Sequence, residues 1–153
     1  GISSMNLAVA TTPNMTQSII QTNLVGTIYC CQIFSPLMFR NKSGSIINFS
    51  TIAVPLGLKG ESVYVASKAG IEGFSRSFAR EAADFNVRVN CIAPGPINTD
   101  LLKGVSSEQI DRIVSQQVIP KQFIPSDVCD LVELLLDDKS ASLSGQVLNV
   151  GGA

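Results

Sequence analysis

The chain has 153 residues, 45% of them hydrophobic and 15% charged, with a net charge of −1. It contains no histidine, which excludes a Ser-His-Asp hydrolase and a histidine-ligated metal centre, and its scattered Lys and Arg argue against a nucleic acid partner. No apolar run approaches a membrane span and the amino terminus lacks the basic-then-apolar layout of a signal peptide, so no membrane role and a cytoplasmic location are expected.

A composition this apolar is unusual for a free-standing domain, so part of the surface is expected to meet a partner. Cys30, Cys31, Cys91 and Cys129 form no Cys-x-x-Cys pair, and free core thiols are expected rather than a metal site or disulfides.

Residues 1–11 read as a loop. Thr12-Pro13 opens a helix, with the hydroxyl as cap and Pro at the first helical position. That helix is expected to reach about Arg40, with a short break around Asn23 and with Pro36 near its end. Asn41-Lys-Ser-Gly44 turns into a strand from Ser45 to Phe49, which is apolar apart from Asn48 and suits a parallel strand covered on both faces. Pro55 to Gly60 reads as a loop.

From about Ser62 to Phe85 the pattern is a long helix. Ala66, Gly70, Gly73 and Ser77 form a small-residue stripe on it, where close approach of another backbone offsets the helix cost of glycine. Ile71, Phe74 and Phe78 form a bulkier stripe. Val87 to Ile92 is a second strand, breaking at Pro94-Gly95, and Asn90 within it reads as a structural hydrogen-bonder. Ser106-Ser-Glu-Gln109 looks like a helix start, Ser126 to Asp137 an amphipathic helix, and Gln146 to Val150 the last strand. Without repeats or linkers, residues 1–153 are expected to form one domain or part of one.

The chemistry concentrates in Tyr64-Val-Ala-Ser-Lys68. On a helix these two residues are i and i+4 neighbours, so the ammonium can favour the ionised phenol and make it an acid and base near neutral pH. Thr51 ends the first strand, where a hydroxyl faces the ligand crevice of an open α/β sheet. Ser50, one residue earlier, points the other way and is expected to bond nearby backbone. Asn23 and the Pro94-Gly95 loop complete the set.

Tyr64, Lys68, Thr51, Asn23 and the loop after Val87 to Ile92 resemble the short-chain dehydrogenase/reductase family, in the branch of the 3-oxoacyl-carrier-protein reductases. The resemblance runs from Gly1-Ile2, like the end of that family's Asn-Asn-Ala-Gly turn, to Val150-Gly-Gly152. It implies the carboxyl-terminal part of a Rossmann-like doubly wound parallel sheet, about three strands with flanking helices, lacking the amino-terminal cofactor half. It also implies NAD- or NADP-dependent interconversion of a ketone, such as a 3-oxoacyl group, and a secondary alcohol.

Carried over, Tyr64 is the proton donor, Lys68 its electrostatic partner and ribose contact, and Asn23 the anchor of a relay water. Thr51 stands where the family usually has Ser. Pro94, Gly95, Ile97 and Thr99 fall where the family holds the nicotinamide and phosphate, although Thr99-Asp100 also reads as a helix cap. Leu101 to Lys121 corresponds to the substrate lid, and Pro120 to Pro125 lacks the family's Arg.

No glycine-rich phosphate turn occurs in the sequence, so the chain is expected to be inactive alone, as a truncated, proteolysed or natively short form. The residues that separate NAD from NADP are likewise absent. A homo-oligomer through the Asn23 and Tyr64 helices is implied. Lys42 offers a carrier protein one basic contact, while Phe85 occupies the place of a second. The alternative is a non-catalytic oligomerising or regulatory piece of the same fold. The outer edge of the first strand is expected to be covered by another chain, by amino-terminal residues or by rearrangement.

Overall fold

The computed structural model describes residues 1–103 and 105–153. In chain order these carry α1 (Pro13–Ile19), α2 (Gly26–Asn41), β1 (Gly44–Phe49), α3 (Ala53–Leu56), α4 (Ser62–Ala83), β2 (Val87–Ala93), α5 (Ser107–Val114), α6 (Pro125–Leu136) and β3 (Val147–Asn149). The sheet among the described residues is parallel and ordered β1-β2-β3, with Gly44 opposite Val87 and Cys91 opposite Val147.

Strand β2 lies in the middle, and its near-continuous apolar sequence follows from cover on both faces. On one face, Phe78, Ala79 and Ala82 of α4 and Cys31 of α2 pack on Val87 and Val89. On the other, Leu135 of α6 joins Ile92, Phe123 and Val150. The arrangement is α/β, as expected. Asn90 is wholly buried and structural: its amide donates to the Leu143 carbonyl at 2.8 Å and its oxygen accepts from Gln146 N–H at 3.0 Å.

Caps follow the sequence. The Thr12 hydroxyl accepts from Met15 N–H at 3.2 Å, and Ser106 and Gln109 form a reciprocal capping box on α5. The break near Asn23 is a π-helical turn over Ile20–Val25, and Pro36 stays inside α2, which runs on to Asn41. Residues 1–11 include a 3-10 turn at Ala8–Ala10, and the expected loop at Pro55 begins inside α3, which stops at Gly57 with φ 59°. Helix α4 ends at Ala83, short of Phe85, because Asn86 at φ 56° starts the turn into β2.

The two stripes on α4 differ. Ile71 and Phe78 are buried, with Phe78 against the sheet. Gly70 faces Leu24, whose Cδ2 would lie 2.8 Å from an added Cβ, whereas Gly73 has nothing within 4 Å. Within this chain neither the amino-terminal residues nor a rearrangement pairs with β1, whose partner is β2 alone among the described residues. Gly1 and Ile2 dock on Asn23 instead.

Candidate active site

Past their ends, β1 and β2 stay stitched together: Ser50 N–H donates to the Ile92 carbonyl at 2.7 Å and Ile52 N–H to the Pro94 carbonyl at 3.1 Å. Thr51 therefore leaves the sheet beside Pro94-Gly95, at the carboxyl edge where open α/β sheets bind ligands. Helix α4 crosses this edge with Tyr64 and Lys68 on its inner face, each 8% exposed. Lys68 Nζ donates to the Phe49 carbonyl at 2.9 Å and stands 5.8 Å from the Tyr64 ring centroid.

A cavity of about 510 Å³ gathers Thr51, Tyr64, Lys68, Pro94, Gly95, Ile97 and Thr99. Its remaining wall is mostly apolar, including Met5, Leu58, Leu101, Leu102, Val105 and Ile113. The expected lid thus contributes lining from the segment around α5; its residue Gly104 lies outside the described residues. Thr99 precedes a 3-10 turn at Asp100–Leu102 without capping it through its side chain, which leaves its hydroxyl available to a ligand. Ile97 is held by a parallel bridge to Phe123.

Asn23 is not part of the cavity wall. Its amide donates to the Ile2 carbonyl at 2.8 Å and to Ser67 Oγ at 3.1 Å, and its oxygen accepts from Ile2 N–H at 2.8 Å. The Ser67 hydroxyl in turn donates to the Tyr64 carbonyl at 2.7 Å. The π turn leaves the Asn23 carbonyl to accept from the Thr27 hydroxyl at 2.7 Å. Asn23 therefore ties the amino-terminal segment to the first turns of α4.

The electrostatics differ from expectation. Burial pushes the Tyr64 phenol up to about 12, the nearby Glu61 carboxylate adds to the rise, and the Thr51 hydroxyl opposes it without closing a well-directed hydrogen bond. Lys68 gives one of its three N–H donors to Phe49, and burial together with Glu61 outweighs any pull on the phenol. Burial also holds the Lys68 ammonium below its ordinary range, making it a readier proton donor.

Two pairs escaped the sequence reading. Ser50 does not bond backbone: its hydroxyl donates to Glu72 Oε1 at 2.6 Å, and Glu72 Oε2 meets Arg76 at 3.2 Å. Glu61 lines the cavity and accepts from Ser3 Oγ at 3.1 Å. The only local signal for Glu61 was its i,i+3 spacing from Tyr64. Gly95 lies close under Gln117, whose side-chain oxygen would have to swing aside for a Cβ there. That oxygen is buried without a partner among the described residues.

The donor set fits the ribose and nicotinamide end of a dinucleotide. The Lys68 ammonium and the Tyr64 and Thr99 hydroxyls face one cavity. In the loop, Gly95 and Ile97 supply N–H groups that Pro94 and Pro96 lack.

The family pattern described as enoyl-(acyl carrier protein) reductase matches residues 1–152. The 3-oxoacyl-acyl-carrier-protein reductase of Staphylococcus aureus is 35% identical over 152 residues, 99% of this chain and 62% of the relative. That of Chlamydia muridarum is 36% identical over 154 residues, 99% and 61%. Among solved structures, the 3-oxoacyl-acyl-carrier-protein reductase of Brucella melitensis superposes with TM-score 0.91 at 28% identity, covering 99% of this chain and 60% of that one. A 4-hydroxyisoleucine dehydrogenase mutant complexed with NADH and succinate gives 0.90 at 25%, covering 99% and 64%. The chain thus spans less than two thirds of the length of these relatives, and it belongs to the short-chain dehydrogenase/reductase family, in the branch resembling the 3-oxoacyl-carrier-protein reductases.

Proposed function

We propose that these residues are the catalytic portion of an NAD- or NADP-dependent oxidoreductase that interconverts a ketone and a secondary alcohol. The observation that carries this reading is the convergence of Tyr64, Lys68 and Thr51 on one largely apolar cavity at the carboxyl edge of a parallel sheet. When bound, the nicotinamide cofactor supplies or takes the hydride. The bound NADH of the 4-hydroxyisoleucine dehydrogenase neighbour supports that cofactor class.

In the reducing direction the Tyr64 phenol gives its proton to the carbonyl oxygen as negative charge develops there. A phenol pushed up to about 12 stays protonated at neutral pH, which suits that role. Thr51 orients the same oxygen. Lys68 reprotonates the phenolate and holds the ribose, and Asn23 anchors a water that connects Lys68 to solvent. Pro94, Gly95, Ile97 and Thr99 hold the nicotinamide end. A 3-oxoacyl group is the substrate class named for the reductase relatives.

The 153 residues contain no glycine-rich phosphate turn, so alone they should bind NADH or NADPH weakly and turn over little. The test is Tyr64→Phe in the longest form of the protein. Turnover should fall at least about a hundredfold while cofactor affinity stays within about twofold; retained turnover refutes the assignment.

One observation favours assembly as well: Tyr29, Ile33, Phe34 and Leu37 of α2 are 57–70% exposed. We propose that this face and the exposed Ala66, Gly73 and Ser77 of the α4 small stripe form a homo-oligomer contact. Ile33→Asp should then lower the mass in sedimentation, and an unchanged mass would exclude that face.

A further inference from the structure

Glu61 immediately precedes α4, three residues ahead of Tyr64, and is only 7% exposed. Ser3 Oγ holds its Oε2 at 3.1 Å. Oε1 has no protein partner among the described residues, yet it is not sealed from solvent as the orphaned Gln117 oxygen is. Lys59 and Arg112 line an adjoining cleft with Glu61, but neither reaches ion-pair distance. Lys68, in the same cavity as Glu61, donates to Phe49.

A mostly buried carboxylate with one vacant acceptor oxygen is costly unless a donor meets it. Glu61 stands at the N-cap position of α4 and Tyr64 in its first turn, and both line one cavity, so a donor that meets Oε1 there shares a wall with the phenol. We propose that Glu61 is a specificity-determining residue whose Oε1 accepts a hydrogen bond from a hydroxyl or amino group carried beside the substrate carbonyl. The carboxylate disfavours an anionic group at the same place, and the apolar wall takes the alkyl remainder. This rests on reading the cavity as a carbonyl site. The rise that Glu61 imposes on the Tyr64 phenol accords with a carboxylate close to the reacting oxygen.

Equilibrium binding to the intact chain separates the two claims. The probes are hydroxymethyl pentyl ketone, its methyl isostere ethyl pentyl ketone, and the α-keto acid of the same chain length. The hydroxyketone should bind about tenfold tighter than the ethyl ketone, with the keto acid weakest. Glu61→Leu should erase the hydroxyl preference. Glu61→Gln, which keeps an acceptor, should hold it within about twofold and lose the bias against the keto acid. If Glu61→Leu does not fold, the Glu61→Gln result decides. Equal binding of hydroxyketone and ethyl ketone, an unchanged preference in Glu61→Leu, an unchanged keto acid bias in Glu61→Gln, or no binding of either ketone overturns the proposal. Turnover is measured separately with NADH and NADPH on the longest form. A hydroxyl preference without turnover of any ketone removes the proposed activity and leaves the role of Glu61 standing, whereas turnover without the preference removes only that role.

Discussion

Ser50→Ala strips one of two partners from a carboxylate buried between β1 and α4. The hydroxyl donates to Glu72 Oε1 at 2.6 Å, while the second oxygen meets Arg76, whose side chain is 56% exposed, at 3.2 Å. Hydrogen bonds to a charged group contribute about 1.5–3 kcal/mol, and an exposed i,i+4 ion pair about 0.3–0.5 kcal/mol. Ser50 therefore carries most of the stabilisation of this carboxylate. With Ser50 and Glu72 only 4% and 7% exposed, water has little access to replace the hydroxyl. The expected loss is about 2 kcal/mol. At a urea slope of about 2 kcal/mol/M this lowers the midpoint by about 1 M with the slope unchanged. Arg76→Ala should cost about 0.5 kcal/mol or less. Adding Glu72→Leu to Ser50→Ala should recover much of the loss, because replacing both partners by apolar groups avoids stranding a charge. A Ser50→Ala shift below about 0.2 M, or a double variant less stable than the sum of the singles, would refute this reasoning.

Three further outcomes follow from geometry and charge. With the phenol pushed up to about 12, ketone reduction should hold steady through neutral pH, since the neutral phenol is the donor. Alcohol oxidation, which needs the phenolate, should instead rise about tenfold per pH unit toward that value; a plateau near neutral pH would show that the bound state lowers the phenol. On α4, Gly70→Val should destabilise by about 1–3 kcal/mol as Leu24 is displaced. Gly73→Ala has open space within one chain, so it should stabilise the dissociated chain by up to about 1 kcal/mol in thermal melts but weaken the proposed oligomer contact on this stripe, and a gain without loss of assembly would mean that the stripe is not covered.

What was legible in the sequence was what neighbouring residues decide. The Thr12 cap, the Ser106 and Gln109 box, the buried run of β2 and the shared face of Tyr64 and Lys68 all rest on short-range spacing. Ser50 was misread because its partner Glu72 lies 22 residues away on another element. Glu61 was passed over because its environment is made by Ser3, 58 residues upstream. The direction of the Tyr64 shift failed for a related reason: the proximity of Lys68 is local, but burial and the Glu61 charge are properties of the folded cavity. The loop at Pro55 gave way to a single helical turn because local breakers mark where a helix ends without forbidding a short one before it.

The π turn at Ile20–Val25 also has a consequence for phase. Ile19, Asn23, Cys31 and Ser35 are buried and Thr27 is half-buried, a recurrence of every fourth residue along α1, the π turn and α2. In an uninterrupted α-helix each four-residue step overshoots a full turn by about 40°, so this line would wander about 160° around the axis from end to end. The extra residue in the wide turn takes back about 100° of that drift and keeps one side of the rod against the sheet. Deleting a single residue within Ile20–Val25 would let the segment close into a regular α-helix with Ile19 and Cys31 in nearly the same relative phase, since eleven steps of about 100° equal twelve steps less the roughly 100° taken back, at the loss of the widened turn that carries Asn23. The wide turn thus acts as a one-residue insertion absorbed in place, changing which residues face the sheet beyond it and not which side of the rod does.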